Sequence, residues 1–459
     1  MGKSMRQEKF IALRKEFPTF TYDQYDYQLT GKGLEVRYAF SISDRFRFYS
    51  TLFFPRKSWF VPDENIIPHL SNILFQIGMI ELISYWKLTC SPRLIIKPHG
   101  LLPGQVAWWK KLYFNGLGEF FYLNSIDETR DNFMQIEVVP DDRLPLMTPE
   151  LRPLVLIPVG GGKDSVVTLE ILRKYFPCLP YLVNPRQASL ETTMTSGFRR
   201  DQMAEVVRTL DPLMLRLNQE GFLNGHIPFS AVLAFTSILA AVLSGGKYIA
   251  LSNESSANEA TIPNTNINHQ YSKSVEFETD FRQYLKEYVT AGIDYFSFLR
   301  PLSEIQIAGL FSQFHDHHPV FKSCNAGSKT DSWCGKCAKC LFTFIILSPF
   351  ITRENLMKIF RRDLLDDASL KPLFDQLIGI TPEKPFECIG TIDEVNLALG
   401  KMISNSGTGP LPALLDHYRS LPRSAGFSDE AFQRARSSYD ETNFLTTPFE
   451  SRLKSVLYV

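Results

Sequence analysis

The sequence predicts an α/β protein built around a doubly wound parallel sheet, and three observations support this fold class. The apolar run 153–159 is typical of a buried strand, and three glycines and a segment with helical apolar spacing follow it directly. Further strand-like runs occur at 181–184 and 247–252. The long apolar stretch 229–243 between them predicts a buried helix. Strands that alternate with helices favour a parallel sheet covered on both faces.

The segments on either side of this region predict a different organisation. Aromatic-rich strands are expected at 19–27, 34–42 and 46–54, with an amphipathic segment at 67–86. We therefore predict an N-terminal α+β domain over residues 1–150, a candidate for substrate binding. Residues 151–345 are predicted to form the doubly wound domain, and residues 346–459 a mainly helical C-terminal region.

Composition excludes several classes of protein. The 459 residues carry 49 Lys plus Arg and 49 Asp plus Glu, so no net basic field favours nucleic-acid binding. The apolar stretch 229–243 is shorter than the roughly 20 residues of a membrane span. The first ten residues lack the apolar segment of a secretory signal. We expect a cytoplasmic protein with no nucleic-acid or membrane partner, and the oligomeric state is left open.

The glycines at the predicted strand-to-helix bend are placed to bind an anion. Without Cβ atoms, Gly160, Gly161 and Gly162 let backbone N–H groups approach a phosphate closely. The helix N-terminus adds partial positive charge, Lys163 adds a full charge, and the Ser165 hydroxyl can donate a further hydrogen bond. The pattern predicts a pyrophosphate site. The alternative is a glycine-rich turn without a ligand.

Spacing excludes two familiar glycine loops. A Walker A loop has Ser or Thr where Asp164 stands, and a dinucleotide-binding loop has a third glycine where Ser165 stands. The segment GGGKDS instead resembles the SGGxDS loop of the ATP pyrophosphatase (PP-loop) superfamily, with Gly160 in place of the first serine. That resemblance implies cleavage of ATP between its α and β phosphates, adenylation of an acceptor oxygen, and Mg²⁺ held partly by Asp164.

Four of the seven cysteines form a cluster with metal-ligand spacing. Two overlapping Cys-x2-Cys steps and a fourth cysteine ten residues upstream can surround one ion tetrahedrally. We predict a structural Zn²⁺ site, because four thiolates leave no position open for water. An iron–sulfur cluster is the alternative that thiolate ligation leaves open, whereas a disulfide set is disfavoured in the cytoplasm. The predicted ligands are Cys324, Cys334, Cys337 and Cys340.

A polar segment after the strand at 247–252 predicts a second wall of the site. It contains SNESSANE, followed closely by NINHQYSKSVEFE, and ligands of doubly wound sheets bind at the carboxyl ends of strands. A solvated polar loop is the alternative. Asn253 here, and Asn184 at the end of the preceding predicted strand, are candidates for nucleotide binding.

The chain as a whole resembles the UDP-N-acetylmuramoyl-L-alanyl-L-glutamate epimerase family. The phosphate loop and the cysteines are shared with distant relatives, so the second wall and the outer blocks carry the specific resemblance. The segments are IELISYWK (80–87), GLGEFFYLNSI (116–126), VGGGKDS (159–165), LSNESSAN (251–258), HQYSKS (269–274), CGKCAKC (334–340) and PFECIGT (385–391).

The resemblance implies inversion of the terminal L-glutamate of UDP-MurNAc-L-Ala-L-Glu to D-glutamate, with ATP converted to AMP and pyrophosphate, in peptidoglycan precursor synthesis. Adenylation would mask the carboxylate charge that otherwise keeps the neighbouring α-proton from leaving. The glycine loop would hold the departing pyrophosphate with Mg²⁺, and Lys163 would offset developing phosphate charge. The candidates that move the α-proton are Glu254, His226, Lys273, His269 and Cys388.

Two other interpretations share the same glycine loop. One is another adenylating enzyme of the superfamily, which modifies a nucleobase or forms an amide. The other is a non-catalytic nucleotide-binding scaffold. His226 could also cap or pack against the helix that follows it, and Cys388 could be a small buried apolar residue.

Overall fold

A computed structural model describes residues 3–56, 70–262, 265, 267–327, 329–381 and 383–457. Their strands form one mixed sheet with mostly parallel pairing, in the order β10-β9-β6-β7-β8-β3-β2-β1-β4-β5. The strands are β1 (Thr19–Thr30), β2 (Gly33–Ile42), β3 (Phe46–Pro55), β4 (Arg93–Ile96), β5 (Gln135–Val138), β6 (Arg152–Pro158), β7 (Cys178–Val183), β8 (Ala204–Thr209), β9 (Gly246–Leu251) and β10 (Asp294–Ser297).

Helices surround this sheet and make up most of the remaining structure. The α-helices are α1 (Lys3–Glu16), α2 (Ser71–Glu81), α3 (Ile83–Trp86), α4 (Pro103–Gly116), α5 (Gly118–Leu123), α6 (Lys163–Leu172), α7 (Gln187–Thr195), α8 (Pro212–Gln219), α9 (Phe229–Ser244), α10 (Val275–Tyr284), α11 (Glu304–Ser312), α12 (Ala338–Leu347), α13 (Arg353–Phe360), α14 (Lys371–Leu377), α15 (Ile392–Asn405), α16 (Ala413–Arg419), α17 (Asp429–Ser437) and α18 (Thr447–Leu457).

Five parallel strands form the half of the sheet that contains the glycine loop. Strand β6 lies in the middle of this half, with β7 and β8 on one side and β9 and β10 on the other. The chain therefore reverses its winding direction next to β6. Ligands of such sheets bind at this switch point, at the carboxyl ends of the strands.

Both faces of the parallel half are covered, because successive side chains of a strand point to opposite faces. Leu154 and Leu156 of β6 pack in a core with α9, whereas Val155 and Ile157 pack in a second core with α6 and α12. The predicted buried helix at 229–243 is thus α9, and the predicted helix after the glycines is α6. Helices on both faces agree with the prediction of a mixed α/β fold.

The N-terminal strands continue the same sheet. Strands β1, β2 and β3 form where the aromatic-rich runs predicted strands; they pair antiparallel with one another, and β3 then pairs antiparallel with β8. The predicted boundary at 150/151 therefore crosses a continuous sheet, which the sequence did not indicate. The predicted domain limits themselves stay predictions. Of the predicted segment 67–86, residues 67–69 lie outside the described residues, and α2 and α3 form the rest.

Beyond residue 345, the described residues of the C-terminal region form helices joined by turns and loops, with no strand among them. Its helices α13 to α18 contribute to the core that also contains α6, α11 and α12. Within the described ranges, no helix is both long and apolar enough to cross a membrane.

Candidate active site

The glycine loop lies between the end of β6 and the first turn of α6. Gly161 has φ +91°, and an added Cβ would lie 2.8 Å from backbone atoms of Ala188 and Ser189 in α7. Only glycine fits this position without strain. By contrast, no atom of the described residues lies within 4 Å of the Cβ position of Gly160. The loop thus packs against α7 at Gly161 and is open at Gly160.

The N–H groups of the loop are available to an external acceptor. Gly162 is the N-cap of α6, so the first N–H groups of the helix have no partner within the helix. In the described part of the chain, no N–H of residues 160–164 donates to a backbone carbonyl outside helices and strands. The Ser165 hydroxyl, expected to face the anion, instead donates to the Gly162 carbonyl at 2.9 Å.

Lys163 lies behind the loop rather than in the pocket. Its side chain is buried, and its amino group donates to the carboxylates of Asp164 and Glu304. Burial, opposed by the Lys163 charge and assisted by the Asp164 charge, raises the pKa of Glu304 to about 8. Burial also opposes ionisation of Asp164, but Lys163 and Lys339 outweigh it and lower the Asp164 pKa. Asp164 is therefore an ionised carboxylate that lines the pocket.

Four cationic side chains surround the pocket in front of the loop. Two of them, Lys322 and Lys339, come from the cysteine segment, and the former lies 3.8 Å from the Asp331 carboxylate. The pocket has a volume of about 240 Å³. Sequence analysis identified Lys273 but missed the other cations, although Lys339 stands between two predicted metal ligands. The lining cations are Arg186, Lys273, Lys322 and Lys339.

The predicted second wall does border this pocket. Burial disfavours the charged form of Lys273, but the Cys388 and Glu254 charges outweigh that effect and raise the Lys273 pKa. Glu254 is buried, and its Oε1 accepts from the Ser256 hydroxyl at 3.3 Å. Arg300, fully buried, donates to the backbone carbonyls of Glu254 and Lys273 and so fixes both segments.

Cys388 lines the same pocket beside Lys273 and His269. Burial raises the pKa of the thiol, but the Lys273 charge, the hydrogen bond with His269 and the Lys339 charge lower it to about 6. The Lys339 amino group also donates to the Cys388 carbonyl. The thiolate is therefore the main form of Cys388 at neutral pH.

His269 connects Cys388 with Glu119, which was not among the predicted site residues. Its Nδ1 lies 2.5 Å from Glu119 Oε2, and its side chain is almost fully covered. Burial lowers the pKa of the imidazole, but the hydrogen bonds with Cys388 and Glu119 raise it to about 9. Cys388, His269 and Glu119 thus form a thiolate–imidazolium–carboxylate series.

His226 stacks against this series. The centroids of the His226 and His269 rings are 4.4 Å apart, and His226 Nδ1 lies 4.0 Å from Glu119 Oε2. Burial and the His269 charge lower the His226 pKa to about 4. His226 is therefore a neutral imidazole beside a charged one. Five predicted proton-transfer candidates, Glu254, His226, Lys273, His269 and Cys388, form one connected cluster.

The two predicted nucleotide-binding asparagines use their side chains within the protein. The Asn184 amide donates to the Arg208 carbonyl at 3.0 Å, and its oxygen accepts from the Arg208 N–H at 2.7 Å. The Asn253 amide donates to the Ser297 hydroxyl at 3.0 Å. Neither contact places the side chain toward the glycine loop.

The four clustered cysteines converge as metal ligands do. The Sγ atoms of Cys324 and Cys337 are 3.8 Å apart, those of Cys334 and Cys340 3.7 Å, and those of Cys337 and Cys340 3.5 Å. A bond of about 2.3 Å to a tetrahedral Zn²⁺ requires sulfur separations of about 3.8 Å, far beyond a disulfide bond. None of the seven cysteines forms a disulfide bond. The donor set therefore fits a tetrahedral metal ion.

Together, the fold and this site define an α/β protein whose polar cluster lies at the switch point of a parallel sheet. The family model described as the MurL N-terminal domain matches residues 12–298, and that described as the MurL C-terminal domain matches residues 320–425. The chain therefore belongs to the MurL epimerase family. No solved structure matches it.

The curated relatives carry one name, UDP-N-acetyl-alpha-D-muramoyl-L-alanyl-L-glutamate epimerase. The chain is 34% identical to the protein from Salinispora tropica over 425 residues, which is 89% of each chain. It is 33% identical to the protein from a Micromonospora species over 434 residues, covering 91% of this chain and 93% of the relative. The Xanthomonas oryzae protein is 34% identical over 339 residues, covering 72% of this chain and 74% of the relative.

Proposed function

We propose that this protein is an ATP-dependent epimerase that inverts the terminal L-glutamate of UDP-MurNAc-L-Ala-L-Glu. The names and coverage of the relatives support the substrate class and the reaction. One structural observation carries the ATP dependence. The open glycine loop, four cations that include Lys273, and the Asp164 carboxylate share one pocket with Cys388 of the titratable cluster.

The loop and the cations suit a triphosphate. Loop N–H groups and the N-terminus of α6 stabilise an anion, and the four cations balance several phosphate charges. Asp164 is an ionised oxygen ligand in the same pocket, as a bound Mg²⁺ requires. The five-strand order also places the glycine loop at a switch point, where ligands of doubly wound sheets bind.

ATP would activate the substrate carboxylate by transferring its adenylyl group to a carboxylate oxygen. Removing an α-proton beside a free carboxylate would create a second negative charge on the same group. Adenylation cancels the first charge, so the enolate carries only one. Lys273 and Lys339 then stabilise negative charge at the reacting carbonyl, and the connected cluster around Cys388 moves the proton between the two faces of the α-carbon.

The cysteine cluster supports this pocket structurally and takes no part in the reaction. Four thiolates would hold Zn²⁺ with no open position, so the metal acts as a structural staple. Lys322, Ser323, Cys324 and Lys339 all line the pocket and lie within or beside the cluster. A correctly folded cysteine segment therefore positions two of the four pocket cations.

The proposal is tested by incubating the purified protein with ATP, Mg²⁺ and UDP-MurNAc-L-Ala-L-Glu in deuterated water. We expect AMP and pyrophosphate, D-glutamate in the recovered peptide, and deuterium at its α-carbon. AMP formed with ammonia or a free base, but not with this substrate, would favour another adenylating enzyme. ATP binding without any turnover would favour a scaffold.

A matched pair of variants tests the role of Asp164. Asp164→Asn keeps the size of the side chain but removes the charge, and we expect at least a 100-fold loss of AMP formation. Asp201→Asn changes an exposed surface carboxylate that forms an ion pair with Arg199, and it should leave the rate unchanged. Equal rates for both variants would contradict the proposed Mg²⁺ role.

A further inference from the structure

A cysteine that only carries a proton does not need the two ordered partners, His269 and Glu119, that accompany Cys388. A thiolate, an imidazolium and a carboxylate in series is the arrangement that activates a cysteine nucleophile. His269 forms hydrogen bonds with both Cys388 and Glu119, and the Glu119 carboxylate at Nδ1 holds the ring in place. Lys273 supplies a second positive charge beside the sulfur.

The position of the sulfur also suits attack on an activated carboxyl group. Cys388 lines the pocket together with Gly160, Gly162 and Asp164. A substrate carboxylate adenylated at this loop would therefore lie in the same cavity as the thiolate. A lone buried cysteine would have neither the cations nor the shared cavity.

Given the proposed ATP-dependent function, we propose that Cys388 takes the activated glutamyl group from AMP and holds it as a thioester while the α-proton is exchanged. The Sγ–carbonyl bond forms as the carbonyl–phosphate oxygen bond breaks, and AMP leaves with that electron pair. Lys273 and Lys339 offset the charge on the carbonyl oxygen. No oxidation or reduction occurs.

The thioester then makes the α-proton labile. A thioester is a stronger electron acceptor than a carboxylate, so the enolate formed on proton loss carries a single charge. With Cys388 occupied, the Glu254 carboxylate and the neutral His226 imidazole are the bases left in the cluster. One accepts the α-proton, and a proton returns to the opposite face. Water then attacks the carbonyl, the Sγ–carbon bond breaks, and the thiolate, the new carboxylate and two protons result.

The experiment uses wild type, Cys388→Ala and the control Cys178→Ala, a thiol outside the site in β7. Each is mixed with ATP, Mg²⁺ and substrate radiolabelled in the glutamyl residue, then quenched in acid. We expect protein-bound label in wild type and Cys178→Ala, released by neutral hydroxylamine, and none in Cys388→Ala. Epimerisation should fall at least 1,000-fold in Cys388→Ala only.

Two outcomes overturn the thioester. One is Cys388→Ala turnover within threefold of wild type. The other is the absence of label on wild type during active epimerisation, which would leave Cys388 as a proton carrier. Substrate-dependent exchange of pyrophosphate into ATP separates this inference from the proposed function. Exchange retained by Cys388→Ala places the defect after adenylation, whereas no exchange in wild type refutes adenylation itself.

Discussion

At the residue scale, Cys388 and His269 set the expected pH range of epimerisation. The Lys273, His269 and Lys339 charges outweigh burial and lower the Cys388 pKa to about 6, so protonation removes the thiolate below that pH. Contacts with Cys388 and Glu119 outweigh burial and raise the His269 pKa to about 9, so the imidazolium is lost above that pH. We expect a bell-shaped rate between about pH 6 and pH 9, measured as kcat/KM for epimerisation.

A control reaction separates these groups from the loop carboxylates. Glu304 has a pKa of about 8 and contacts Lys163 behind the glycine loop. Titration of Glu304 acts on adenylation and is therefore shared by both reactions, whereas titration of Cys388 acts only after adenylation. Pyrophosphate exchange should therefore lack the acid limb near pH 6. An epimerisation rate that stays level through pH 6 would contradict the assigned thiolate.

Residue types were predictable from sequence, but their partners were not. Sequence analysis identified Cys388, His269 and Lys273 as able to titrate, and the structure brings them together. Glu119 was missed because 150 residues separate it from His269 along the chain. Lys163 was predicted to face phosphate, yet burial beside Glu304 turns it away from the pocket. Such long-range pairs leave no local signal.

At the element scale, the turn from β6 to α6 depends on Gly161. Its φ of +91° and the 2.8 Å approach of α7 backbone leave no room for a Cβ. Gly161→Ala should distort the loop and weaken ATP binding at least tenfold, measured by calorimetry. Gly407→Ala, where the structure describes no atom within 4 Å of the Cβ position, is the control. Unchanged ATP affinity in Gly161→Ala would contradict the proposed role of the glycine loop in phosphate binding.

The cysteine segment offers a second test at this scale. Cys337 precedes α12, and its Sγ lies within 4 Å of those of Cys324 and Cys340. Cys337→Ser should lose the bound metal, lower Tm and weaken ATP binding, because the pocket lysines lie in the same segment. Elemental analysis of purified protein separates zinc from iron. A metal-free Cys337→Ser protein with wild-type Tm and ATP affinity would contradict the structural role of the metal. Cys178→Ala is the matched control.

Elements with strong local patterns were well predicted. The glycine turn, the apolar helix α9 and the aromatic strands β1 to β3 agree with their predictions, because burial on one or both faces imposes a visible period. Strands β4, β5, β8 and β10 were not predicted. Three of them, β4, β5 and β10, have only four residues each, too few to establish a period.

At the scale of the whole molecule, a buried ion pair links the N-terminal strands to the parallel half of the sheet. Arg208 of β8 donates to both oxygens of Glu81 at 2.6 and 2.9 Å, and the Ser50 hydroxyl of β3 donates to Glu81 at 3.0 Å. Glu81 is fully buried. Glu81→Ala would leave the Arg208 charge buried without its partner and should lower the free energy of unfolding by about 3–5 kcal/mol.

Urea denaturation measures this effect. The control is Glu137→Ala, which removes the exposed partner of Arg93 and should change the free energy of unfolding much less. A single cooperative transition that shifts as a whole in Glu81→Ala is expected if one sheet unites the chain. Two separate transitions in wild type would instead indicate independently unfolding halves.

The pairing of β3 with β8 also bears on how the chain leaves the ribosome. Thr51 pairs with Thr209, so one edge of β3 stays unpaired until 158 further residues have been synthesised. At translation rates of about 5–20 residues per second, that edge stays open for roughly 8 to 30 s. An unpaired strand edge invites association with other chains. During this period the nascent protein is most exposed to aggregation through the edge of β3, and a chaperone would protect it most.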